Sequence, residues 1–326
     1  MLVAIFNRYC IVKRYESYFV SITNQNSNCT KLLSIVVRAY PPLKLVRRIP
    51  KQTLIRAGEN DPVITGMSYN SARDELFLAD GRNGVVRAMR VRDNAGDLRD
   101  VYRAPHDTSS FIRSVCHMSD SDTLLVCSNE IGPGRKTAKW LVALSRNGSE
   151  WREAQRVEID GRGWISCALS DSRVLIGDFD TSTYMELFRV ESGPRIARVH
   201  RIHVPEMYNW FSATCGSDTL VAMSYFSDKS VRVHRLRGDR LEELARIQLK
   251  RPQELLWLAD RLLVVDYDRE NSHALIELEV SDTRLERRRE LIATSENIYV
   301  HRLCAVNDEL AIFDYMSKDI LHYSFA

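Results

Sequence analysis

The phrase LFLADGRNGVVRAMRV at residues 76–91 joins an apolar run, an Asp, a Gly-rich corner and a second apolar run. Looser copies follow as LLVCSNE, VLIGDFD, LVAMSYF, LLVVDYD and LAIFDYM. The six runs begin at Leu76, Leu124, Val174, Leu220, Leu262 and Leu310, so successive copies lie 48, 50, 46, 42 and 48 residues apart. Periods of ~40–50 residues belong to four-stranded propeller blades. The spacing therefore predicts an all-β chain, a six-bladed β-propeller of four-stranded antiparallel blades.

The strands inside one period can be read directly. In the fifth copy, Gln253 to Ala259 gives a first strand, LLVVD at 262–266 a second, and HALIELEV at 273–280 a third whose apolar residues alternate with period two. LERRRELI carries the charges expected of an exposed outer strand. The chain ends after DILHYSF, only the third strand of the sixth copy. The missing fourth strand is supplied by LKLVRRI at 43–49, which resembles the outer strands RIARVHRI and LEELARIQ. N- and C-terminal segments then share one blade, and closure removes the free sheet edges. The blades are expected at about 62–103, 111–159, 163–204, 210–249, 253–292 and 298–326 plus 43–49.

The stretch ELFLADGRNGVVRAMRV resembles the NHL repeat, with Asp80, Asn83 and Val86 at matching positions. The other copies keep the acid at Asp178, Asp266 and Asp314 while the Asn is missing or displaced. The resemblance covers the propeller alone. It implies six blades and a platform for proteins or RNA, with enzymes in the minority.

Charge is distributed unevenly. Residues 1–60 hold ten Lys/Arg against two Asp/Glu, and the remainder is mildly acidic, with 36 basic and 41 acidic groups. An acidic propeller lacks the basic footprint of a nucleic-acid reader, which disfavours RNA as partner. Residues 1–42 read as a basic N-terminal extension, disordered or surface-seeking. Arg8, Lys13 and Arg14 break its apolar runs, so neither a signal peptide nor a membrane span is expected. Seven cysteines without a C-x-x-C pair read as reduced thiols of a cytoplasmic, monomeric protein. Cys116, Cys167, Cys215 and Cys304 all fall in first strands, a repetition that reads as packing. The eight histidines are scattered, and no nucleophile triad or phosphate loop can be built.

Candidate site residues come from the loops after second strands and those leading into first strands, which share one face of a propeller. Phe179, Tyr225, Tyr267, Tyr315 and Trp210 offer apolar anchors there, with Arg162 and Arg251 fixing register. Aromatics and arginines dominate interaction hot spots. The expected function is accordingly a non-catalytic, protein-binding scaffold that takes a peptide or protein at the channel mouth, with no cofactor. The competing reading is a lactonase- or phosphotriesterase-type hydrolase. There Asp61, Asn209, Glu254 and Asn297 would converge on a channel cation such as Ca²⁺, which demands several oxygens.

Overall fold

The computed structural model describes residues 2–6, 9–14, 17–22, 37–38, 43–92, 98–105, 110–131, 137–160, 165–169, 172–177, 184–191, 194–204, 210–217, 219–225, 227–258, 261–267, 273–281, 284–292 and 298–325. Two compact units result, 1–44 with 325–326 and 45–324. In the first, Leu2–Phe6, Tyr9–Arg14, Ser17–Ile22 and Val37–Arg38 pair in chain order as an antiparallel sheet. LVAIF, YCIVKR and SYFVSI are rich in β-branched and aromatic residues, which favour a pleated sheet.

The second unit contains six four-stranded blades in a closed ring. Their described strands span 64–103, 111–158, 165–203, 210–248, 252–292, and 300–325 with Leu43–Ile49. The innermost strands are Ile64–Asn70, Phe111–Met118, Ile165–Leu169, Trp210–Cys215, Pro252–Leu258 and Val300–Val306. Each touches the next, and Val300–Val306 returns to Ile64–Asn70. The final blade is completed by the N-terminal strand, as its charge pattern predicts.

Burial explains the repeating phrase. Every second strand is covered on both faces by neighbouring blades, so Glu75–Asp80 and Leu220–Tyr225 are buried almost throughout. A strand covered on both sides reads as a continuous apolar run. Outer strands such as Leu285–Ile292 bury only their ends and leave their arginines in water. Apolar clusters fill the wedges between consecutive blades: Phe77, Val86, Val126 and Trp151 between the first two, and Leu175, Met185, Val221 and Met223 between the third and fourth. One parallel bridge, His203 to Arg240, joins the outer strands of blades 3 and 4 into an eight-stranded sheet. Among the described residues, no helix is long and apolar enough to cross a membrane.

The Asp that closes the second strands is a clasp. Asp80 accepts hydrogen bonds from the Val63 and Asn83 amides at 3.2 and 3.3 Å, from the Asn83 side chain at 2.6 Å and from Arg87 Nη1 at 3.0 Å. Asp266 accepts from the Arg251 amide at 2.7 Å, and Asp314 from the Tyr299 and Met316 amides at 3.0 and 3.1 Å. Each carboxylate thus ties the loop approaching the first strand to the end of the second. In blade 1 the clasp also neutralises Arg87, only 2% exposed, which pairs with Glu59 and Asp100 as well. Removing an acceptor that serves four donors leaves buried polar groups unmatched. Asp80→Ala is expected to cost about 2–4 kcal/mol, a fall of roughly 5–10 °C in Tm. Asp80→Asn should lose less, because an amide oxygen still accepts. Equal melts for wild type and Asp80→Ala would show that the clasp is dispensable.

Candidate active site

On one face of the ring, blades 5 and 6 bring together a run of aromatic rings. Tyr267 ends the second strand of blade 5, Arg261–Tyr267, and His273 begins the third, His273–Val280; the two stand opposite each other in the hairpin register. Tyr299 precedes the innermost strand of blade 6, and Tyr315 follows that blade's second strand, Glu309–Asp314. The Asp314 clasp holds the Tyr299 amide, and the Tyr315 amide donates to the Tyr299 carbonyl at 2.9 Å. Backbone bonding thus fixes where these rings sit before any side-chain contact is considered.

Ring centroids of His273 and Tyr299 lie 3.8 Å apart, Tyr267 and His273 4.7 Å, Tyr299 and Tyr315 5.5 Å, and His301 and Tyr315 5.3 Å. Two cations flank the run. The Arg251 guanidinium lies 5.1 Å from the centre of the Tyr267 ring, and Lys318 Nζ lies 3.1 Å from that of Tyr315. Such placements are favourable because the ring face is negative. Tyr315 is 37% exposed, Tyr267 and Tyr299 are half-buried, and His273 is 1% exposed.

His273 is the chemically unusual member. Among the described residues neither ring nitrogen has a hydrogen-bond partner, although the ring is buried. A buried polar group without a partner is costly and rare. Burial lowers its pKa to about 4, only partly opposed by the charge of Asp314, so the imidazole is neutral at pH 7. His301 differs: its Nδ1 donates to the Ile64 carbonyl at 2.9 Å, which fixes the tautomer. Its pKa falls to about 3, first through burial and then through Arg302. Burial raises the Tyr299 hydroxyl, and the neighbouring Tyr267 and Tyr315 add to that rise. Lys318 is lowered by burial and by the charge of Arg82. The face therefore offers a desolvated neutral base, a Tyr299 hydroxyl whose pKa burial raises, and two cations.

Three sequence-derived residues, Tyr267, Tyr315 and Arg251, meet in this cluster. Tyr225 does not. It is 0% exposed inside the wedge between blades 3 and 4, its hydroxyl 3.1 Å from His234 Nε2 and its ring covered by Arg232 at 4.4 Å. It is a core residue and not an anchor. Phe179 and Arg162 lie outside the described residues, as does the side chain of Trp210, whose backbone opens the innermost strand of blade 4.

The oxygen set for a cation fares differently. Asp61 is paired with Lys51 at 3.3 Å, and Glu254 with Arg302 at 3.1 Å. Both carboxylates are thus matched by cationic side chains, while Asn209 and Asn297 lie outside the described residues. Among the described residues no three His, Cys, Asp or Glu side chains are placed to hold a metal ion.

His273 escaped the sequence reading because a lone His at the start of a strand carries no local signature. The available signal was its symmetry with Tyr267 across the loop between the second and third strands of blade 5.

No family model matches the sequence, and no curated protein resembles it significantly. Solved structures share the fold. Virginiamycin B lyase from Staphylococcus aureus matches with a TM-score of 0.53 at 11% identity, over 87% of this chain and 100% of its own. A catalytically inactive histidine-to-alanine variant of that lyase has been solved with quinupristin. A glucose dehydrogenase matches with a TM-score of 0.61 at 9% identity, over 88% of this chain and 100% of its own. A protein provisionally assigned as a 6-phosphogluconolactonase, from Bacteroides uniformis, gives 0.57 at 10% identity, over 83% and 82% of the two chains. At such identities the likeness establishes the β-propeller fold. The expectation of a non-catalytic interaction platform is contradicted by these neighbours, which are named for catalysis.

Proposed function

We propose that the chain is an enzyme that opens a small cyclic ester at the face formed by blades 5 and 6, with His273 as the proton acceptor. The observation that carries this reading is the buried, neutral His273, unpartnered at both nitrogens, packed between Tyr267 and Tyr299. A general base works best when it is neutral at the working pH and within reach of the proton it takes. Water attacking the ester carbonyl would pass its proton to His273. The ring C–O bond then breaks, and the alkoxide takes that proton back. Tyr299 is suited to donate to the oxyanion, because its raised pKa keeps the hydroxyl protonated. Arg251 and Lys318 favour the carboxylate that forms. The neighbour assigned as a lactonase supports the same class of chemistry by analogy of fold only.

The NHL-like phrase of blade 1 fits this reading as a blade-building device. Asp80 and Asn83 direct their polar groups into the clasp, where they bind the Val63 amide and the Asn60 carbonyl.

The test is a panel of five-, six- and seven-membered lactones offered to the full chain at pH 7, with acid release followed by titration. Turnover of one ring size above the buffer rate is the expected outcome. A panel without turnover under those conditions contradicts the reading.

A further inference from the structure

The cysteines of the innermost strands do more than repeat. Cys167 lies in Ile165–Leu169 of blade 3, and Cys215 ends Trp210–Cys215 of blade 4, so they occupy adjacent strands of the inner ring. Their sulfurs are 2.8 Å apart, with the Cys215 thiol donating to the Cys167 sulfur. Both are free thiols that pack against the same apolar wedge. Cys116 and Cys304 behave otherwise: one sulfur faces Met118 Sδ at 4.0 Å, the other the Ala305 carbonyl at 3.4 Å.

The backbone on each side of the pair is fixed. Cys167 is registered against Leu175, and Cys215 against Val221. The residue after Cys215 is Gly216, whose amide donates to the Leu220 carbonyl at 3.0 Å. A Cβ on Gly216 would stand 2.3 Å from the Trp257 ring of blade 5, so this corner admits only glycine in this packing. The two sulfurs, 2.8 Å apart, must close to the ~2.05 Å of a bonded pair.

We propose that Cys167 and Cys215 are an oxidation site, at which a hydroperoxide converts the two thiols into a disulfide that staples blade 3 to blade 4. Cys215 is half-buried and Cys167 more deeply buried, so the peroxide meets Cys215 first. The Cys215 thiolate attacks the peroxide, the O–O bond breaks, and a sulfenic acid and an alcohol result. The Cys167 sulfur then attacks that sulfenic sulfur, the S–S bond forms and water leaves. Two thiols and one hydroperoxide give one disulfide, one alcohol and one water. Burial pushes the Cys215 thiol well above its usual range, so the first step quickens as the pH rises.

The full chain, first reduced and then treated with tert-butyl hydroperoxide, should yield a Cys167–Cys215 cross-linked peptide on digestion without reductant. The same sample should melt roughly 5–10 °C higher, since the bond closes a long loop of the unfolded chain. Dithiothreitol should reverse both effects, Cys215→Ser should abolish both, and Cys304→Ser should leave both intact. If Cys215→Ser fails to fold, the cross-linked peptide from wild type still decides the matter. Recovery of Cys167 and Cys215 as separate thiols, or of Cys215 as an unlinked sulfinic acid, would overturn the proposal.

Discussion

Lowering the pH from 7 to 4 is expected to unfold the propeller cooperatively, with a midpoint near pH 5. His234, His273 and His322 are essentially without solvent contact, and burial holds each at about 4 against an ordinary value of 6.5. Their folded pKa values lie below the unfolded one, so the unfolded chain takes up protons first. The stability they confer is complete above about pH 6.5 and is lost as the pH falls towards 4. Each group removes about 1.4 kcal/mol per pH unit inside that window. Three together remove about 4 kcal/mol per unit, against a total stability of order 5–15 kcal/mol. His301, held at about 3 by burial and by Arg302, works in the same direction.

Carboxylates extend the loss to lower pH. Burial alone would raise Glu59, but the Arg56 amide, Arg103 and Arg87 outweigh it and hold it low. Glu186 opposes the trend, because burial raises its carboxyl despite Arg198. Tryptophan fluorescence and circular dichroism followed from pH 7 to pH 4 measure the outcome. His234→Gln should move the midpoint to lower pH. A native signal that persists unchanged to pH 4 would show that these imidazoles can be protonated without leaving the fold.

Much of the fold was legible because its physical cause is periodic. A strand covered on both faces must be apolar throughout, so each blade announces itself with one run such as LLVVD or LAIFD. Leu43–Ile49 was legible as the closing strand because it mixes arginines with apolar residues as the other outer strands do, leaving most of them exposed.

The site was only half legible. Tyr225 and Tyr267 occupy equivalent places in LVAMSYF and LLVVDYD, yet one is core and the other lies on the functional face. The difference is Arg232 in the adjacent third strand, Ser230–Arg237, where it stands opposite Met223. Held by Asp228 and Glu243, it folds over the Tyr225 ring and seals it. In blade 5 the residue opposite Tyr267 is His273, which leaves the tyrosine half-buried. Side-chain cover of this kind depends on which way charged side chains fold and leaves no trace in the spacing of the apolar runs. His273 itself depends on hairpin register, which spacing alone does not give.

The most direct measurement compares wild type with His273→Gln on whichever lactone the panel identifies. Glutamine keeps polarity and approximate size but cannot accept and return a proton as imidazole does. Loss of a positioned general base costs about 10²–10⁴ in rate. His273→Gln is expected to show a kcat at least about 100-fold lower than wild type, with KM changed little and the fold retained at pH 7. Equal turnover by the two proteins would contradict it, and the catalytic role assigned to the face of blades 5 and 6 would fall.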